Sequence, residues 1–177
     1  MVASCEQFAT YGLAGARIDR IAEAAAANKR SIYMHFGTKE ELFDMVVADS
    51  MLELAKAVSI DAGHLPGYAG ELFDRLEQRT HVRRLYLRAG LERQQPIDVE
   101  VEEYRRNVAA IKAAQEAGRI RADIPAVELM AMVIGLVISW DTASWSLKAL
   151  QAETVHESFT GRRAAVAGLI QPSRVHS

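Results

Sequence analysis

Apolar residues recur along this chain at spacings of three and four and never alternate with polar ones over a useful length. That is the period of helices rather than strands. Residues 2–11 read as a short helix that stops near Gly12, and a second helix covers 17–26 with Ile18, Ile21, Ala22 and Ala25 on one face. Asn28, whose side chain accepts orphan backbone N–H groups, caps a third over 29–35, which Gly37 ends. Thr38-Lys-Glu-Glu41 has the capping-box spacing. It starts a fourth helix running to about residue 60, with Leu42, Phe43, Val46, Val47, Met51, Leu54 and Val58 as its stripe. The stretch 61–70 is rich in breakers and reads as a loop. Helices follow over 70–79, 81–94, 97–117, 125–150 and 156–170, with Gly118 as a C-cap and Pro96 and Pro125 in first turns. The expectation is an all-α chain in two parts. Residues 1–45 form a three-helix unit of helix-turn-helix type, 46–177 form a helical bundle, and helix four joins them.

Composition narrows the function. The chain has 177 residues, half of them hydrophobic, enough for a core without metal or disulfide staples. The single cysteine, Cys5, excludes an internal disulfide or a multi-cysteine zinc site and reads as an inert buried thiol. Residues 1–16 hold one acid, Glu6, and no base, so an export signal's charged start is missing. The longest apolar run, Leu129–Ile138, sits in a 12-residue window between Glu128 and Asp141, against about 20 needed for a membrane span. It is expected to be a buried helix, with no membrane partner and a cytoplasmic address. No Ser/His/Asp arrangement, phosphate-cradling glycine loop or Cys/His metal spacing occurs, so no catalysis or cofactor is expected. Glu153-x-x-His156 has the spacing of a di-metal bundle pair, but such sites need two pairs and two further glutamates. It reads as a solvated helix end, and a metal-carboxylate enzyme is a remote alternative.

Two short helices joined by a tight turn can lay the second in a DNA major groove while the first braces it. Here the brace is Arg17–Ala25, the turn Ala26-Ala27 and the reader Asn28–His35, held inward by Ile32 and Phe36. The whole chain carries a formal charge of −2, yet Ala16–Lys39 has five bases (Arg17, Arg20, Lys29, Arg30, Lys39) against Asp19 and Glu23. Residues 40–53 then carry five acids and no base. Local rather than net charge is what a polyanion feels.

The run Ile21-Ala-Glu-Ala-Ala-Ala-Ala-Asn-Lys-Arg-Ser-Ile-Tyr-Met-His-Phe-Gly-Thr-Lys-Glu-Glu-Leu42 closely resembles the helix-turn-helix signature of TetR-type (tetracycline-repressor-like) transcriptional regulators. Phe8 and Gly12 match that family's helix-one aromatic and terminating glycine. The resemblance covers about residues 1–47; beyond it only architecture matches. It implies DNA contacts at Arg17, Asn28, Lys29, Arg30, Ser31, Tyr33, His35 and Lys39. Lys39 and Tyr33 suit phosphate, aided by the helix-four N-terminus, and Lys29, Arg30 and Ser31 suit base edges. Two departures stand out. The family's turn glycine is Ala26 here, which favours a turn avoiding the left-handed region. By the same comparison the chain begins inside helix one, about ten residues late.

Two readers at fixed spacing address two half-sites, so a homodimer on a palindromic double-stranded operator is implied. Trp140, Ala143, Ser144, Leu147, Phe159, Ala164, Ala167 and Leu169 are the candidate interface, in a four-helix arrangement. The resemblance also implies a small-molecule inducer in the bundle. Phe73, Tyr86, Tyr104, Met130, Met132, Ile134 and Trp140 are candidate lining for an adaptable apolar pocket. The expected output is repression, relieved when ligand changes the distance between readers. A helical ligand-binding module without DNA affinity is the alternative from another class.

Overall fold

The computed structural model describes residues 2–93, 95–153 and 159–170; the side chains of 151–160 and of Leu169 lie outside the description. Among the described residues there are eleven helices and no strand. They are α1 (Val2–Gly15), α2 (Ile18–Ala24), α3 (Lys29–Phe36), α4 (Lys39–Ala57), α5 (Leu65–Gln78), α6 (Thr80–Glu92), α7 (Asp98–Glu116), α8 (Ala126–Val137), α9 (Ser139–Thr142), α10 (Trp145–Glu153) and α11 (Phe159–Ile170).

The helices form two compact units. The first comprises Met1–Ala57 with Leu76–Glu103, and the second Val58–Arg75 with residues from Tyr104 on. The chain passes from one to the other three times, and two of those crossings fall inside α5 and α7. Helix α4 lies wholly in the first unit.

In the first unit Phe8, Ile18, Ile21, Ile32, Leu42, Phe43, Val46 and Val47 are buried together, with Phe36 packed against them. The rings of Phe8 and Phe43 meet edge-on at 5.0 Å. Leu85 and Ala89 of α6 complete this core. Helix α6 reaches the α1 break at Gly12, where φ 69, ψ −178 leaves helical space. Only glycine takes that conformation readily. The next amide, Leu13, donates to the Glu92 carboxylate, which Arg88 flanks at 3.6 Å. In the second unit Leu65, Tyr68, Ala69, Leu72, Phe73, Ile111, Ala114, Leu129, Met130, Val133, Val137 and Val166 are buried. Arg163 of α11 donates through Nε to both oxygens of Asp74 on α5, at 3.0 and 2.8 Å.

Two expectations need correction. The 61–70 loop gives way to helix at Leu65. Pro66 fits a first turn, and Leu65, Tyr68, Ala69 and Leu72 are buried at helical spacing, which outweighs the cost of Gly67 and Gly70. The single helix over 125–150 is three helices. Ser139 Oγ donates to the Leu136 carbonyl and Thr142 Oγ1 to that of Ser139. Ala143 is extended, and Ser144 Oγ accepts from the Leu147 amide. Hydroxyls at these positions offer the backbone alternatives to a continuous ladder.

Candidate nucleic-acid interface

Helix α3 begins as its sequence dictates. Asn28 is extended (φ −86, ψ 134) and its Oδ1 accepts from the Arg30 amide at 2.8 Å. Ile32 is buried, and the rest of the helix from Lys29 to His35 stands in solvent. Asn28, Lys29, Arg30, Tyr33 and Met34 line one open groove. Arg17, at the start of α2, is also exposed.

The turn before α3 differs from expectation. Ala26 does adopt the left-handed conformation, at φ 49. Its amide donates to the Glu23 carbonyl at 3.1 Å and that of Ala27 to Ala22 at 2.9 Å. These two bonds form the Schellman pattern that closes a helix through a left-handed residue. Satisfying the carbonyls that end α2 outweighs the steric cost of alanine there.

The cations on this face differ in what they hold. Lys29 Nζ lies 2.8 Å from Asp19 Oδ1, a bond that raises the lysine's pKa above its ordinary value. Lys39 Nζ donates to the Ala14 carbonyl at 3.4 Å. The side chains of Arg17 and Arg30 make no hydrogen bond or ion pair among the described residues. Arg30 can therefore offer its planar fork of donors whole. His35 Nδ1 donates to the Ser31 carbonyl at 2.9 Å, which leaves Nε2 for another partner.

At the start of α4 the expected capping box is present. Thr38 N–H donates to Glu41 Oε2 at 2.7 Å and the Glu41 amide to Thr38 Oγ1 at 3.1 Å. The Thr38 amide and hydroxyl hold the Glu41 carboxyl below its usual range. The cap thus occupies two of the amides that could face a phosphate.

Two features escaped the sequence reading. Met34 is 75 % exposed on α3, although a methionine in an amphipathic helix ordinarily reads as core. Arg20 stands 5.2 Å over the ring of exposed Tyr11, a cation–π contact between α2 and α1. The Arg20 charge was visible in the sequence; its aromatic partner, nine positions away, was not.

The pocket candidates are scattered in character. Six of the seven belong to the second unit and Tyr86 to the first. Phe73 and Met130 are buried, Tyr104, Ile134 and Trp140 half-buried, and Met132 is exposed. Of the interface candidates, Ser144, Leu147 and Ala164 are exposed and Trp140, Ala143 and Ala167 half-buried; the side chains of Phe159 and Leu169 lie outside the described residues. Val127, Ala131, Met132 and Gly135 form a side of α8 that is exposed in the single chain, where a buried helix is expected. On α10 Trp145, Leu147 and Leu150 are exposed as well. His156 lies outside the described residues, as does the Glu153 side chain. No helix among the described residues is long and apolar enough to cross a membrane.

Comparison with known proteins gives a consistent picture. Residues 1–46 match the family model described as bacterial regulatory proteins, tetR family, and 64–171 match the tetracyclin repressor-like C-terminal domain. The chain is 36% identical over 157 residues to the HTH-type transcriptional repressor SCO4008 of Streptomyces coelicolor, covering 86% of this chain and 79% of that protein. It is similar in structure to the transcriptional regulator SCO4942 from Streptomyces coelicolor, with TM-score 0.84, 31% identity, and 96% and 92% of the two chains covered. The fold is shared also with the fatty acid degradation regulator FadR from Bacillus halodurans, at TM-score 0.68, 16% identity, and 99% and 94% coverage.

Proposed function

The chain belongs to the tetR family of bacterial regulatory proteins, and from that premise we propose that it is a ligand-responsive repressor acting as a homodimer on a palindromic operator. Residues 1–45 are the DNA-binding part and 46–177 the part that binds ligand and dimerises. The observation that carries this reading is the exposed α3 face, presented by a helix whose inward side is fixed through Ile32. Arg30 reads guanine with two parallel donors, a contact that discriminates between bases. Lys29 and Ser31 address neighbouring edges, Met34 packs on a thymine methyl, and Asn28 sets the start of the helix. Arg17, Tyr33, His35 and Lys39 hold phosphates and set register.

The exposed apolar sides of α8 and α10 support a second copy of the chain as their cover, since Trp145 is 84 % exposed in the monomer. A small apolar or amphipathic inducer occupies the second unit among residues such as Phe73, Tyr104, Met130, Ile134 and Trp140. Ligand favours one arrangement of that unit over another. Helices α5 and α7, continuous through both units, carry the difference to the first. The two readers then lose the spacing of one helical turn, about 34 Å. The site of action is the cytoplasm, and no catalytic step or cofactor enters.

A gel-shift against DNA upstream of its own gene tests the reading. The expected result is specific retardation that weakens steeply with salt, by a log–log slope of about −0.9 for each phosphate neutralised. Absence of any specific complex, while the purified protein is folded and dimeric, would favour a helical binding module without DNA affinity.

A further inference from the structure

The reader's first cation is not free, and its partner is an acid on the bracing helix. Asp19 lies in the first turn of α2 and Lys29 opens α3; the pair spans the turn at 2.8 Å, with side chains 70 % and 49 % exposed. A lysine ammonium is a compact point charge on a flexible stem, so left alone it follows any phosphate within reach. Held by Asp19, it has one donor occupied and two remaining. The pair also fixes where those two point: an acceptor in that direction, such as a purine edge facing α3, is reached with the pair intact, whereas following a phosphate in another direction requires breaking it.

We propose that Asp19 is a specificity-determining residue, which restrains Lys29 from sequence-blind phosphate contact and directs it to a base edge, guanine O6 and N7 by their acceptor chemistry. The inference rests on the proposed reading of α3 as the DNA reader. Arg30, one residue on, has no such restraint, so the two adjacent cations are set up differently: one oriented by a carboxylate, one by its own planar fork. An exposed ion pair shifts an equilibrium by no more than about fivefold. The effect therefore lies in the ratio between operator and random DNA rather than in the presence or absence of binding.

The test begins by selecting an operator from random duplexes with the wild-type protein. Affinities for that operator and for a scrambled duplex are then measured across a range of salt. Asp19→Asn is expected to raise affinity for the scrambled duplex by up to about fivefold, with a salt slope steeper by about 0.9. Its operator affinity changes less, so the ratio falls. Glu23→Gln removes another exposed acid on α2 that pairs with no cation among the described residues. It controls for charge alone and should leave the ratio unchanged. In a Lys29→Ala background Asp19→Asn should no longer move the ratio. Equal gains on both duplexes from Asp19→Asn and Glu23→Gln would overturn the inference while leaving the DNA reading intact. Failure of the wild type to select any operator would remove the DNA reading itself, and this inference with it.

Discussion

Ala26 offers an unusually clean measurement, because the chain contains the same motif built with glycine. At the end of α2 the amides of Ala26 and Ala27 reach back three and five residues, with Ala26 at φ 49. At the end of α7 the amides of Gly118 and Arg119 do likewise, both at 2.9 Å, with Gly118 at φ 67. Ala26 is exposed, so Ala26→Gly removes no packing. It relieves the cost of an L-residue in left-handed space, about 1–2 kcal/mol. Against that, glycine loosens the unfolded chain by about 0.4–1 kcal/mol. The net expectation is stabilisation by about 0.5–1 kcal/mol, or about 1–4 °C in melting temperature for a chain of this size. Gly118→Ala runs the same comparison backwards. A Cβ there meets nothing within 4 Å, so its cost is the backbone alone and of similar size. Thermal and urea melts followed by far-UV circular dichroism measure both. A Gly118→Ala loss accompanied by no gain, or by a loss, from Ala26→Gly would refute the claim that the turn is strained.

At the α1 break, Gly12→Ala forces an L-residue into glycine-only space and sets its Cβ on the Glu92 carboxylate, 3.0 Å from Cδ. A loss of about 2–4 kcal/mol is expected, falling to about 1–3 kcal/mol in a Glu92→Ala background. Equal costs in both backgrounds, by a double-mutant cycle in urea, would contradict the overlap. The lowered Glu41 pKa fixes the sign of an acid effect: its capping contribution is complete above the unfolded glutamate value, about 4.3, and is lost as pH falls through the lower folded value. Wild type should melt above Glu41→Gln at pH 6, and the difference should close as pH falls toward about 3. On DNA, Arg30→Ala should cost about 1–3 kcal/mol at particular bases, Met34→Ala should weaken preference at a thymine, and Lys39→Ala should weaken all sequences alike. Binding titrations over single-base operator variants separate these outcomes, and sequence-blind losses from all three substitutions would defeat the assignment of base readers.

What could be read from the sequence was what depends on near neighbours. Asn28, Thr38, Glu41 and Gly118 act within two to five residues, and each does in the structure what its spacing requires. The buried set of the first unit follows from helical periodicity, but the role of α6 in closing that core does not, because nothing near Leu85 points toward Phe8. The early start of α5 was hidden by two glycines whose local cost, about 1 kcal/mol each, is smaller than the gain from burying four apolar residues. Breaks after α8 and α9 were hidden for the opposite reason. Hydroxyls at Ser139, Thr142 and Ser144 compete with the helix ladder only weakly, and an apolar run gives no sign of which side wins.

For the candidate interface, residue identity was legible and state was not. Counting charges made Lys29, Arg30 and Lys39 equivalent contributors to a balance of +3 between residues 16 and 39. In the folded chain Lys29 is held by Asp19 and Lys39 rests on the carbonyl of Ala14, whereas the Arg30 side chain pairs with nothing among the described residues. Only a cation that can exchange water for phosphate releases a full counterion on binding. The salt slope should therefore be set more by Arg17 and Arg30, and by whatever Lys39 gives up of its helix-end carbonyl, than by the arithmetic sum. On the proposed reading, the same distinction gives Arg30 and Lys29, adjacent and like-charged, different parts of recognition. A guanidinium arrives with its donor geometry fixed by its own bonds, while an ammonium acquires direction only from a neighbour, and here the neighbour is an acid on the other helix of the motif.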